Sequence, residues 1–401
     1  MRKRILWIIV VLLWYSIPVF SAEFVPVFDL HLLGGQSWFQ NEMSSAGVNF
    51  NLNFTPALKF SESLSFLPVY SGWYLGNKQM AQLEGGGFLY QETQDHILNL
   101  ELLHKPIPEI KSRLSMGYKK EWAKETKDEF WGTGLYDYDK VSIGIQQERQ
   151  FTRWKFQPVI KGGVDVYAVF YPNYNSLASE VGKEVAGRKM LDHLTSEIFF
   201  NEAILLTDSL ILRGDYAFSY GNFFEQYVII ESADYSANKR QDYINELGLD
   251  LTYFIPLPFE NLESTLGLNY RAKLNQSSQN HYDVERYIFI PYFYDYLQHK
   301  IGPQITFTLI PSNLSISISY DYAHKQFFER LAQNSTGDYL AEKMDWSLHN
   351  YGLRISYPIL KSLSVEISGG LQQSISNNRF ERIYRYNYVS ANYLAGIAWE
   401  Y

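Results

Sequence analysis

The sequence predicts an all-β protein, a transmembrane antiparallel up-and-down β-barrel of about sixteen strands, with fourteen to eighteen compatible with the spacing. Three observations carry that class. Apolar and polar residues alternate at a period of two in stretch after stretch, so each strand has one greasy and one polar face. After residue 22 no run of 18 apolar residues occurs, although 46% of the chain is hydrophobic. Short proline-bearing connections alternate with long polar ones, as they do when every hairpin crosses a bilayer.

Residues 1–22 read as a signal peptide and 23–401 as the barrel. Arg2, Lys3 and Arg4 form a basic start, Ile5 to Trp14 an apolar core, and Ser21-Ala22 a small-residue cleavage site. Ser16 and Pro18 interrupt the apolar run, which is short for a membrane anchor. Loss of the three cations takes the net charge from -8 to -11, a balance unsuited to nucleic acid, whose phosphates call for a basic face. The chain has no cysteine, hence no disulfide and no lipid-modified thiol.

The strands follow in order. Phe28, Leu30 and Leu32 alternate with Asp29 and His31, and Val48, Phe50, Leu52 and Phe54 with three asparagines. Leu98–Leu102, Leu114–Tyr118, Val141–Ile145 and Val164–Phe170 repeat the pattern. Further examples centre on Leu212, Leu249, Leu268, Phe307, Ile318, Leu353 and Val365. Thr55-Pro56, Pro106 to Pro108, Thr207 to Ser209, Pro256 to Pro258, Pro311 to Asn313 and Pro358-Ile359 mark short turns, because proline presets a turn and cannot donate to a ladder, and Thr, Asp and Ser are turn residues too. Longer loops are expected over 75–92, 124–137, 171–189, 221–241, 275–292, 326–344 and 374–385. Trp73, Trp122, Phe170, Tyr220 and Tyr322 are expected in one aromatic girdle, and Phe54, Phe200, Tyr253, Tyr357 and Tyr401 in the other. Glu202, on the apolar parity, is expected near the short turns or beyond a bulge.

The final strand places Tyr393, Ala395, Ile397, Trp399 and Tyr401 on one face and ends on an aromatic residue. That ending resembles the C-terminal signature of bacterial outer-membrane β-barrel proteins, the porin-like superfamily. The resemblance implies export to the outer membrane of a Gram-negative-type bacterium, with the short turns periplasmic. It also implies that Tyr393, Ile397, Trp399 and Tyr401 are read by the barrel-assembly machinery. Lipid is then an obligate partner, and the chain is a monomer or a homotrimer.

The opposite parity carries the pore-lining candidates Glu101, Arg113, Lys119, Lys161, Asp165, Arg213, Asp215, Glu246, Asp250, Arg271, Lys273, Asp321, Arg354 and Glu366. Such charges either create a field across a wet pore or brace the wall as cross-strand ion pairs. Turns centred on Ile107 and Leu360 put Glu101 opposite Arg113 and Arg354 opposite Glu366. Ser176 to Gly187 is expected to form a helical turn or two, and Tyr287 to Tyr294 to extend a strand. Ser347 and His349 share a face without an identifiable acid, and Asp192 and His193 face opposite ways, so no catalytic set is assigned. No metal-ligand spacing, nucleotide motif or cofactor motif is read. The function expected is a porin-like channel for passive diffusion of small hydrophilic solutes, not an enzyme. The runner-up is a closed or plugged barrel with a structural, adhesive or recognition role through its long loops.

Overall fold

The alternating segments pair edge to edge, each with its neighbours in the chain, until the last meets the first. The computed structural model describes residues 23–40, 42–43, 47–81, 88–124, 129–381 and 385–400. The leader expected over 1–22 and the terminal Tyr401 lie outside them. Sixteen strands form the wall. They are β1 (Phe28–Phe39), β2 (Gly47–Phe54), β3 (Leu64–Ala81), β4 (Phe88–Ile107), β5 (Ile110–Lys124), β6 (Tyr138–Gln150), β7 (Val159–Phe170) and β8 (His193–Thr207). The second half holds β9 (Leu210–Ile229), β10 (Tyr235–Ile255), β11 (Leu262–Ser277), β12 (Tyr296–Leu309), β13 (Leu314–Gln333), β14 (Tyr339–Leu360), β15 (Leu363–Ser376) and β16 (Tyr388–Glu400).

Every adjacent pair is antiparallel, and β16 closes on β1 over a register running from Asp29↔Glu400 to Phe39↔Ser390. Closure matters physically, because an open edge in hydrocarbon would leave backbone N–H and C=O groups without partners. The outward parity is apolar and bare: Leu100, Met116, Ile143, Ile145, Ile198, Leu249, Ile318, Leu353 and Ile367 are all exposed. A water-soluble barrel would cover these side chains; a bilayer supplies the apolar solvent they lack.

The short turns share one rim and the long loops the other. The turn between β6 and β7, residues 151–158, ends on Pro158 and was not among the short turns marked from the sequence. Above the hydrocarbon several strands continue further than alternation suggests. The stretches expected as loops over 221–241 and 326–344 are largely ladder: β9 and β10 run to a tip at 230–234, and β13 and β14 to a tip at 334–338. Above the bilayer these extensions pack against neighbouring loops, burying Ile229, Phe327 and Met344, so the ladder persists while the lipid-facing alternation fades. Register shifts at 222–227 and 326–331 mark the change. Glu202 lies on the outward face near the turn rim, opposite Gly214.

Prolines are not confined to strand ends. Pro303 lies inside β12, and its β13 ladder skips from Ile301↔Tyr322 to Gln304↔Ser319, as expected where a backbone donor is missing. Trp73 is a correction. It pairs with the inward-facing Asp95, so it points into the barrel and not into a girdle. On the outward face near the loop rim, Tyr70–His96, Tyr270–His299 and Tyr320–His349 form hydrogen-bonded pairs of 2.8–2.9 Å. An amphipathic tyrosine ring suits the membrane–water boundary, and a neighbouring imidazole satisfies its hydroxyl.

Candidate functional site: the inner wall and its loop canopy

Inward side chains come from alternate positions of all sixteen strands, so the site is a surface rather than a cleft. The structure places the fourteen lumen candidates on that inner parity and joins most of them. Arg113 donates to Glu101 (3.3 Å), Lys119 bridges Asp95 (3.3 Å) and Glu121 (2.7 Å), and Lys273 meets Glu246 (2.5 Å). Arg271 lies between Asp250 (2.7 Å) and Asp215 (3.6 Å), Lys300 meets Asp321 (3.3 Å), and Arg354 meets Glu366. Lys161 lies over the Phe199 ring. Arg213 is exposed, and no ion pair is found for it among the described residues.

Two registers differ from expectation by two residues. Arg113 sits opposite Leu103 and Glu101 opposite Ser115, because the chain bulges between His104 and Ile107 before a tight turn. Arg354 sits opposite Ser368 and Glu366 opposite Ser356, again after a bulge beside Pro358. A two-residue slip preserves parity, so both ion pairs form diagonally instead of directly.

Glycines shape this wall. Asp165 faces Gly144, and a Cβ there would stand 1.7 Å from its Oδ1. Asp215 faces Gly248, where a Cβ would be 2.3 Å from either carboxylate oxygen. A Cβ on Gly302 would meet Asp321 Oδ1 at 2.2 Å. In each case the acidic side chain lies flat over bare backbone, which only glycine permits.

The loops build a canopy at the other level. Residues 171–192 contain one α-turn, Ala178–Val181, and one 3-10 turn, Lys183–Val185, within the Ser176 to Gly187 stretch expected to hold a helical turn or two. Glu184 is buried there, and its Oε1 accepts from His281 Nδ1 (2.8 Å) and the Tyr294 hydroxyl (2.8 Å). Its Oε2 accepts from the Tyr282 N–H (3.2 Å), so one carboxylate ties the 171–192 loop to the 278–295 loop. The segment Tyr287 to Tyr294 does not extend a strand. Tyr287 and Tyr292 take left-handed φ values of 57° and 51°, Ile288–Ile290 pairs back on His281–Asp283, and Ile290, Phe293 and Tyr294 bury together. Their aromatic content finds a partner by folding back: Phe293 stacks on His281 at 4.2 Å.

Alternation said nothing of two further features. Asp137, Asp192 and Asp295 each precede a returning strand, and each accepts the backbone N–H of the residue that ends the strand before it or opens the loop. The donors are Ala123 (2.7 Å), Tyr171 (2.7 Å) and Ser277 (2.6 Å). Asn387 does the same for Ser376 (2.8 Å). Burial pushes the three aspartate carboxyls above the usual range, against the lowering effect of those N–H groups. The signal was present as a repeated Asp or Asn followed by Tyr or His. The second feature is a group of cations held by rings. Lys325 lies 4.4 Å from the Tyr296 ring centroid, Arg330 4.5 Å from that of Phe293, and Arg240 4.4 Å from those of Phe223 and Tyr294.

The residues weighed for hydrolysis do not converge. Ser347 Oγ lies 2.9 Å from His324 Nδ1, while His349 is bound to Tyr320, both in the outer girdle. His193 Nδ1 meets the Leu191 carbonyl at 2.8 Å, and Asp192 is engaged by Tyr171. An apolar groove of about 610 Å³ beside Leu266, Pro303, Tyr320, Tyr351 and Leu371 opens on the outer face, toward hydrocarbon and away from solute.

No family model matches the chain, and no curated protein matches it. Among solved structures it is similar to OmpT, an outer membrane protein of Vibrio cholerae in its trimer form, at 10% identity and a TM-score of 0.47, covering 94% of this chain and 99% of that one. OccAB3 of Acinetobacter baumannii matches at 9% identity and 0.45, covering 94% and 99%. OpdQ of Pseudomonas aeruginosa matches at 9% and 0.44, covering 94% and 98%. The architecture rests on the chain's own geometry: a closed sixteen-strand wall, apolar outside and charged inside, has the fold of the bacterial outer-membrane β-barrel proteins.

Proposed function

We propose that the protein is a porin-like channel through which small hydrophilic solutes diffuse passively across the outer membrane, without catalysis. The observation that carries this reading is the solvent accessibility of charged side chains on the inner wall. Inside a closed barrel the Lys300–Asp321 side chains keep 40% and 28% exposure, and Lys273–Glu246 35% and 49%. Side chains packed into a solid core would not. Their charges are largely neutralised in pairs, so the wall offers polar footing with little net field, which suits weak, non-specific passage.

A second reading has its own support. Glu184 and its partners hold two loops together over the loop rim, with Tyr294 and Phe293 buried beneath. A barrel closed by such a canopy would serve as a surface-recognition or structural protein. Planar-bilayer recording of the refolded protein decides between the two. Stable ohmic steps support the channel, and silence in the wild type with steps in a canopy-loop variant supports the closed barrel. Assembly through Tyr393, Ile397, Trp399 and Tyr401, and a monomeric or trimeric state, belong to the same proposal.

A further inference from the structure

Near the turn rim, where the first strand meets the last, Asp29, His31 and Glu400 bring one ligand atom each within 4.8 Å of one another. Asp29 and Glu400 are directly opposed across the β1–β16 ladder, and His31 follows Asp29 by two residues, so all three face inward. Two carboxylates so placed repel each other unless a cation compensates them.

The imidazole contact has an unusual character. His31 Nε2 lies 3.0 Å from Asp29 Oδ1, yet that oxygen is buried and receives no hydrogen bond. Donor atoms that each stand about 2.0–2.1 Å from one ion are themselves roughly 3.0–3.4 Å apart, and no N–H needs to point between them. The separation is that of two ligands on one coordination polyhedron.

The surroundings orient both groups. His31 Nδ1 lies 3.2 Å from Glu366 Oε2, and Glu366 is buried and held by Arg354. With Nδ1 donating to that carboxylate, the Nε2 lone pair faces Asp29. The other oxygen of Asp29, Oδ2, accepts from Asn53 Nδ2 at 3.2 Å. Carboxylate-to-histidine support of this kind fixes ring orientation and raises ligand basicity in metal sites.

We propose that Asp29 Oδ1, His31 Nε2 and the Glu400 carboxylate bind one divalent transition-metal ion, Zn²⁺ being the best match, with Glu366 and Asn53 as positioning residues. One nitrogen and two oxygens suit a borderline ion, whereas Ca²⁺ and Mg²⁺ favour all-oxygen shells. The remaining coordination position faces lumen water. The ion ties the two ends of the sheet together and stabilises the closed barrel over the unfolded chain, in which the ligands are far apart.

The test uses the full chain, refolded in detergent, stripped with chelator and titrated calorimetrically with ZnCl₂ alone at neutral pH, with MgCl₂ and CaCl₂ in parallel. The expected result is one Zn²⁺ per chain, a raised unfolding temperature, and no comparable heat from the other two ions. His31→Gln and Glu400→Gln each weaken binding by at least about tenfold, and Glu366→Gln by about 10- to 100-fold. Zn²⁺ uptake unchanged in both ligand variants would assign the heat to other histidines and overturn the site. Absence of saturable binding would overturn it too, leaving His31 as a structural bridge between Asp29 and Glu366. Glu400 is exposed at the end of the final strand, so Glu400→Gln keeps the test valid if His31→Gln does not refold.

Discussion

At the scale of single residues, the inner wall depends on the absence of a methyl group as much as on the presence of a charge. Gly144→Ala would drive a Cβ into the Asp165 carboxylate, and overpacking of that kind costs about 1–3 kcal/mol. Urea unfolding of the refolded protein checks it, and a second change, Asp165→Ser, is expected to restore most of the loss. Arg354→Met leaves the buried Glu366 without its cation, a loss of about 1–3 kcal/mol. Lys300→Met, beside a half-exposed Asp321, is expected to cost about 0–1 kcal/mol. The inward parity of these residues was legible from spacing alone. Their glycine partners were not, because which glycine faces which acid depends on register, and register is set by turn geometry that alternation does not encode.

At the scale of elements, the loop clasps are the least legible and the most testable. Asp137, Asp192 and Asp295 hold their carboxyls above the ordinary range, so the folded state keeps protons that the unfolded chain releases. Between the usual carboxylate pKa and the raised values, their contribution to stability therefore falls as pH rises. The triple variant Asp137→Asn, Asp192→Asn, Asp295→Asn is expected to flatten that dependence in urea midpoints measured from pH 4 to 7. Asp295→Ala, which leaves the Ser277 N–H without its acceptor, is expected to cost about 1–3 kcal/mol. Strand existence was readable wherever one face met hydrocarbon and the other water. It ceased to be readable in β9, β10, β13 and β14 above that boundary, where 221–241 and 326–344 passed for loops. The Tyr287 to Tyr294 segment failed for a related reason, since its fold is decided by His281 and Glu184, remote in sequence.

At the scale of the whole molecule, two solvents define two surfaces, and substitutions should sort by surface. Ile145→Lys places a charge against hydrocarbon, at an expected cost of about 2–4 kcal/mol near the midplane. Gln147→Lys, on the same parity but near the turn rim, is expected to cost about 0–1 kcal/mol. Folding titrations in lipid vesicles measure both. Equal costs would mean that the outer belt does not face lipid. The closed circuit of strands was legible from the even run of hairpins and the aromatic ending, while the Asp29–Glu400 contact was not, since it joins opposite ends of the chain. The aspartates that lie across glycines carry one last implication. Their heads lie along the wall over the facing backbone and do not reach for the axis, so at these positions the inner surface is set by main-chain atoms. If the proposed channel conducts, one added carbon at Gly144 or Gly248 pushes the facing carboxylate inward, and the expected result is a smaller current step in planar-bilayer recording.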